Sequence, residues 1–360
     1  MPRAPTAEPP RPRPRLRDRP TSLPRTSPPR TTPPRHYIDA MRSSPRAAGL
    51  ALGFAADWYF ADPQRRHPVA GFGQAASGLR RILYADSRAA GLAYAGALVS
   101  GAAALGVAAE RVGSRPLART VLTAAATWTV LGGTSLRREA SAIGESLGTG
   151  DLAAARERLP HLCGRDPRGL DADQIARAVV ESVAENTSDA VVAPLFWGAV
   201  AGIPGLLAYR ATNTLDAMVG YRNEKYRNFG WAAARLDDVL NWVPARFTGL
   251  ATVAASPIVG GSPARTLRVL RQDGASHPSP NAGRCEASAA GALGLRLGGT
   301  NTYGDVVEHR PVMGTGRAPR VADIRRAAVL SATVGLASAA AAARLATALA
   351  PSRRTRRTRR

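Results

Sequence analysis

Apolar positions in this chain fall into long runs rather than short alternating stretches, and the runs set the expected architecture. Residues 89–109 are uncharged throughout, from AAGLAYAGALVSG to AAALGVAA. A second run covers 117–136, with Arg119 near its start. The turn at 110–116 is short, so the pair is expected to form an antiparallel hairpin. Further runs occupy 190–209, 247–263 and 327–350, the last carrying Arg344. A helix of about 20 apolar residues crosses the hydrocarbon core of a bilayer. The shorter stretch 47–60 is interrupted by Asp57 and is expected to span marginally, dip in, or lie at the interface. Gly91, Ala95, Gly96, Ser100, Gly101 and Ala104 offer the small-residue contacts that pack membrane helices closely. The pattern predicts an all-α fold, a polytopic helical membrane protein with polar cytoplasmic loops.

Polar segments separate the runs. Residues 137–180 read as amphipathic helices split by Gly148 and Gly150, with Asp171 or Asp173 capping a helix that starts near Gln174. On that helix Glu181, Glu185 and Asp189 recur every four residues and share a face. Arg177 can pair with Glu181. Glu185 and Asp189 lack a local partner, so a bound cation competes with a solvated acidic face or with distant arginines. Beyond the 190–209 run, Asn213, Asp216 and Gly220 share another face, and GYRNEKYRNFGW crowds charge and aromatics into a short connection. Arg222, Lys225 and Arg227 there suit phosphates, and Lys225 is the chain's single lysine. The polar segment 265–302 is glycine-rich near its end but has no GxxxxGK[ST], so it is not a P-loop.

Composition changes this picture at the ends. Mean hydropathy is −0.15 although 45% of residues are hydrophobic, because two arginine-rich tails dilute an apolar body. Of the formal +23, the first 46 residues carry +8 and the last eight +6, leaving +9 for the body. Three segments follow: a disordered Pro/Arg-rich tail at 1–45, a helical membrane domain at 46–350 and a basic tail at 351–360. Such tails suit anionic lipid headgroups, and with no aromatic platform or recognised module no nucleic acid is expected. No apolar h-region opens the chain, so no signal peptide is expected. Cys163 and Cys285 form neither a disulfide framework nor a metal cluster. Arginines directly after the last apolar run put the C-terminus in the cytoplasm, and the N-terminal arginines do the same for that end. Two cytoplasmic ends need an even number of crossings of the cell membrane, six if 47–60 counts.

Several stretches also carry a resemblance. DWYFADPQRRHPV, ESVAENTSDAVVAPLFW, AYRATNTLDAMVGYRNEKYRNFGWAAARLDD, LNWVPAR and SPNAGRCEASAAGALGLRLGGTNTY resemble the signature blocks of the adenosylcobinamide-phosphate synthase family (CobD/CbiB). They spread over roughly residues 47–349. The resemblance implies a ligase of cobalamin biosynthesis, joining the propionate of adenosylcobyric acid to the amine of aminopropanol phosphate or a close analogue, with ATP and Mg²⁺. Its partners would be the corrinoid, the amino-alcohol phosphate, ATP and membrane lipids. Such chemistry must clamp phosphates, hold Mg²⁺ on one or two carboxylates and take a proton from an ammonium group. By residue type, Glu185, Asp189 and Asp216 suit the metal, and Asp237 or Asp238 the base. Asn213 and Asp216 are further catalytic candidates. The family block around His67 offers it as base or phosphate donor, and Asn281, Asn301 and Tyr303 are candidates for substrate contact. The competing class is a multi-pass transporter without covalent chemistry, suited by charged helix ends and by prolines at 194 and 204.

Overall fold

The computed structural model describes residues 44–63, 67–221, 223–303 and 306–350; for 301–303 and 306–308 the backbone alone is described. Of the tails expected to be disordered, 1–45 and 351–360, residues 1–43 and 351–360 lie outside the described residues, as does Arg222, whereas Ser44 and Pro45 are ordered: Ser44 Oγ accepts from the Ala47 N–H at 3.3 Å and caps the first helix. Thirteen α-helices are present among the described residues. The first six are α1 (Pro45–Phe60), α2 (Pro68–Leu83), α3 (Arg88–Val112), α4 (Pro116–Val130), α5 (Gly133–Gly148) and α6 (Leu152–Arg158). The next four are α7 (Ala172–Thr187), α8 (Ala193–Val219), α9 (Trp231–Leu240) and α10 (Trp242–Ala255). Then come α11 (Pro263–Asp273), α12 (Ala282–Leu293), the strands β1 (Leu297–Tyr303) and β2 (Val306–Met313), and α13 (Val321–Ala348).

The spine is a helical stretch of 48 residues, Ala172–Val219. It starts on a capping box in which the Asp171 carboxylate accepts from the Gln174 N–H and the Gln174 side chain accepts from the Asp171 N–H, both at 2.8 Å. A π-turn at Ser188–Val192 joins α7 to α8. The spine threads three apolar cores. Its first part, with Ile175, Val179 and Val183, packs with α5, α12 and the start of α13. Its middle, Leu195, Ala199 and Leu206, meets α1 and the end of α13. Its last turns, Leu215 and Val219, meet Ala76, Tyr94, Phe229 and Ala233.

Within α8 the backbone breaks at Gly202 (φ 69°, ψ −149°), two residues before Pro204. The Glu110 carboxylate fills the break and accepts from the Ile203 N–H at 3.2 Å. A Cβ on Gly202 would run into that carboxylate, so glycine serves both the positive φ and the close approach.

Three expectations are corrected. The 117–136 run is two helices: α4 ends at Val130, and the Gly132 N–H donates to the Ala190 carbonyl at 3.2 Å. Its main partner is α1, while α3 lies along α8, so α3 and α4 are not the expected hairpin. The 247–263 run stops at Ala255 and tightens into a 3₁₀ turn, Ser256–Val259, where Pro257 has no N–H to continue an α-helix. The fold is also not purely α. The glycine-rich stretch forms an antiparallel hairpin, with a register shift between Leu297 and Gly299. Three helical stretches among the described residues are long and apolar enough to cross a membrane: Arg88–Val112, Ala172–Val219 and Val321–Ala348. At 16, 15 and 14 residues, α1, α4 and α10 fall short of about 20. Leu92, Leu105, Val112, Leu117 and Val121 project outward from α3 and α4, which suits a membrane-associated chain.

Candidate functional site

The π-turn decides which residues meet. Its i→i+5 pairing inserts one extra residue into the helix, and such bulges recur at functional sites. Here it carries Ser188 and Asp189 to the wall of a polar cavity of about 390 Å³. Glu185 comes from the last turn of α7, Asp216 from α8 and Asp237 and Asp238 from α9. Asn241 adds to this side. The facing wall consists of His277, Ser279, Asn281 and Cys285, with Arg310 from β2. The π-turn within the spine, the spine's last turn, α9 and the loop before α12 therefore converge on one space.

Amide side chains tie the carboxylates together. Asn213 Nδ2 donates to Asp189 Oδ2 and to Asp237 Oδ1, each at 3.4 Å. Asn241 Nδ2 donates to Asp237 Oδ2 at 2.9 Å, while its own Oδ1 accepts from the Tyr209 hydroxyl at 2.9 Å. Tyr209 also donates to the Asp189 carbonyl at 3.2 Å. Asp238 has a cation nearby, Arg235, at 3.6 Å. Burial and then the charge of Asp216 push the Asp237 carboxyl up to about 7, against the hydrogen bonds from Asn241 and Asn213. Glu286 sits behind the facing wall at 1% exposure. Burial, then the charges of Glu181 and Glu185, push its carboxyl well above the ordinary glutamate range.

Five of the catalytic and metal candidates line the cavity: Glu185, Asp189, Asp216, Asp237 and Asp238. Asn213 reaches them by hydrogen bonds, and Asn281 lines the wall while donating to the Asp238 carbonyl at 2.8 Å. The other candidates lie elsewhere. His67 is outside the lining: its Nδ1 accepts from the Val69 N–H at the start of α2, and Nε2 lies 3.3 Å from Asp62. Burial lowers its pKa, with Asp62 opposing. Lys225 and Arg227 are exposed, and their loop is pinned to α2: Tyr84 donates to the Lys225 carbonyl at 3.0 Å and Arg80 to the Tyr226 hydroxyl at 2.6 Å. Asn301 and Tyr303 contribute backbone to β1, and their side chains lie outside the described set. Ser188, Asn241, Cys285 and Glu286 stand in motif blocks but were not singled out by residue type. His277 and Arg310 stand in none of the blocks, and only the tertiary fold reveals them.

Among the described residues no three His, Cys, Asp or Glu side chains form a ready metal cage. The cavity's donors fit magnesium in a different manner. They are carboxylate and amide oxygens, and Mg²⁺ is usually held by one or two carboxylates while keeping water and phosphate ligands. Burial raises Asp237 most, and the Asp216 charge that adds to it is what a divalent cation would offset.

Comparison with known proteins bears on this site. A family model described as CobD/Cbib protein matches residues 50–331. A curated relative from Mycobacterium tuberculosis (strain CDC 1551 / Oshkosh), "Cobalamin biosynthesis protein CobD", is 51% identical over 302 residues, covering 83% of this chain and 96% of its own length. Relatives of the same name from Geobacter metallireducens and Pelobacter propionicus are 43% and 40% identical, over 72% and 75% of this chain and 83% and 85% of their own lengths. No solved structure matches.

Proposed function

The chain belongs to the CobD/CbiB family, and on that premise we propose that it is an ATP-dependent amide-forming ligase of cobalamin biosynthesis. It joins the free propionate of adenosylcobyric acid to the amine of aminopropanol phosphate, or a close analogue, giving adenosylcobinamide phosphate. The observation that carries this reading is the single cavity in which five carboxylates face Arg310 and His277.

A carboxylate is a poor electrophile because oxide is a very poor leaving group. If a propionate oxygen attacks the γ-phosphorus of ATP, ADP departs and the acyl carbon gains phosphate as its leaving group. The amine then attacks that carbon, phosphate leaves, and the ammonium proton passes to a base. Asp237 suits the base, since its raised pKa lies near neutral pH and Asn213 and Asn241 fix both its oxygens. Asp238 is held by Arg235 instead, which leaves it a weaker candidate. Glu185, Asp189 and Asp216 would hold Mg²⁺, which when bound neutralises phosphate charge. The Asn213 bridge keeps Asp189 and Asp237 at fixed spacing.

The chain is read as multi-pass in the cell membrane, with both termini and the cavity on the cytoplasmic side. Ionised groups buried in lipid cost about 2.5–3.5 kcal/mol each on insertion scales, which favours a site at the membrane surface. A transporter reading expects polar chemistry at the broken helix. The break at Gly202 instead takes one carboxylate, Glu110, and the other acids gather at the two ends of the apolar run.

The test is direct. Membranes containing the protein receive adenosylcobyric acid, aminopropanol phosphate and Mg-ATP, and the product is read by mass. The conjugate should appear only with all three; its absence in folded, inserted protein sinks the ligase reading. The protein should also stay in the pellet after alkaline carbonate, and release as a soluble monomer would overturn the multi-pass reading.

A further inference from the structure

We propose that the wall formed by Arg310, His277 and the N-terminus of α12 is a phosphate subsite, which binds the oxygens of a phosphate group brought into the cavity. The proposal deepens the ligase reading and rests on it for the identity of the phosphate carrier. Among the described lining residues, Arg310 and His277 are the side chains able to carry positive charge. Both approach the same atom from the cavity side. His277 Nε2 lies 3.8 Å and Arg310 Nη1 4.0 Å from Glu286 Oε1.

Glu286 is 1% exposed, and neither of its carboxylate oxygens accepts a hydrogen bond among the described residues. A buried carboxyl without hydrogen bonds is costly and calls for a role. It lies behind the Arg310 guanidinium and His277 Nε2, and the Ser279 N–H donating to His277 Nδ1 at 3.0 Å fixes the ring, so both groups stand on one wall of the cavity. Arg310 is the only arginine lining the cavity among the described residues, and a planar guanidinium suits phosphate oxygens.

The helix adds a second element. α12 is twelve residues long, and Asn281 and Ala282 at its start line the cavity. The Ala282 N–H already donates to Ser279 Oγ at 3.2 Å and the Arg284 N–H to the Asn281 carbonyl at 3.0 Å, so this end contributes the positive pole of the helix dipole, which favours an anion. Gly283 has no room for a Cβ, which would meet His277 Cβ at 2.5 Å and the Gly274 carbonyl at 3.0 Å. Its absence lets His277 lie against that first turn. The opposite wall is acidic and repels a bare anion, so a phosphate enters on this side. The exposed loop of Lys225 and Arg227 has no place in this arrangement.

Inorganic phosphate serves as the probe, on the full-length protein in detergent at matched ionic strength. Phosphate should raise the unfolding midpoint of the wild type, and Arg310→Met should abolish the rise. If Arg310→Met does not fold, Arg310→Lys should need at least tenfold more phosphate for half the effect. His277→Gln should weaken binding in the same direction. Two kinetic arms identify the carrier. A tenfold rise in KM for aminopropanol phosphate alone assigns the subsite to the phosphomonoester, and a rise for ATP alone assigns it to the nucleotide. An unchanged phosphate response in Arg310→Met, or none in the wild type, overturns the proposal. Phosphate stabilisation that depends on Arg310 without any conjugate in the product assay would leave the subsite standing and sink the ligase reading. Conjugate formation with an Arg310→Met variant unchanged in both KM values and phosphate response would do the reverse.

Discussion

Glu181 and Glu185 stand one helical turn apart on α7, and the fold gives them opposite surroundings. Glu181, 4% exposed, is fully matched: Arg165 lies at 2.6 Å, Arg177 at 4.0 Å, and the Gly298 N–H donates to it at 2.8 Å. Arg177 in turn donates to the Gly298 and Thr300 carbonyls, so this carboxylate fastens β1 to the spine. Glu185, with Asp189 a further turn along, opens into the cavity beside Asp216 and Asp237. A buried charge answered by the protein's own cations is structural. Acids gathered without enough cations are poised for a ligand.

The largest expected effect falls on the matched end. Removing one charge of a buried pair leaves the other uncompensated and costs about 3–5 kcal/mol. Glu181→Gln should lower the unfolding midpoint and the level of folded protein, and added Mg²⁺ should not help. A variant as stable as the wild type would erase the contrast.

Next in size is the base. Asp237→Asn should reduce turnover by about 10²-fold or more, the usual scale for losing a general base. In the wild type, kcat/KM should climb with pH and level off at or below about 7, because the base must be unprotonated to accept a proton and a cation bound beside it lowers the value set by burial and Asp216. A profile flat from pH 5 to 8 would remove Asp237 from that role.

The open end of the acidic stripe comes third. Glu185→Gln or Asp189→Asn should cut turnover at least tenfold, about 1.4 kcal/mol in the barrier, with normal insertion and protein level. Raising Mg²⁺ should recover part of the loss. Full activity at every Mg²⁺ concentration would end the metal assignment.

Much of this contrast was legible along the chain and some was not. The i, i+4, i+8 spacing announced a shared acidic face, Arg177 announced its pairing with Glu181, and Asp171 its cap. The spacing could not show that a π-turn follows Thr187 and shifts the register at Asp189. Nor could it show Arg165, which reaches Glu181 from a loop outside the helix. The apolar run at 190–209 marked a spanning helix, but hydropathy does not distinguish lipid from protein neighbours, and much of that helix is core. Lys225 and Arg227 looked like phosphate ligands because charge density is visible in sequence while side-chain direction is not. Arg310 was hidden for the opposite reason: an isolated arginine in a strand gains meaning only when the hairpin folds over α12.

The smallest effect inverts the usual cost of substitution. In the folded protein Asp237 titrates at about 7, against 3.8 as the ordinary value. The folded state therefore holds this proton more tightly than the unfolded chain does. The associated stability is fully present below the unfolded value, falls as pH rises from about 4 to about 7, and is gone above that. Asp237→Asn removes the charge whose formation causes the loss. At pH 8, without Mg²⁺ or substrates, the variant should unfold above the wild type by about 1 kcal/mol, roughly 2 °C for a chain of this size; near pH 4 the gap should close. Glu181→Gln should show the opposite sign at pH 8, since its charge is matched. Saturating Mg²⁺ should narrow the Asp237→Asn advantage, because a cation beside Asp189 and Asp216 offsets the Asp216 charge that adds to burial in raising Asp237. An Asp237→Asn protein less stable than the wild type at pH 8 would show that the site acids are compensated after all, and the distinction between the two ends of the stripe would fail.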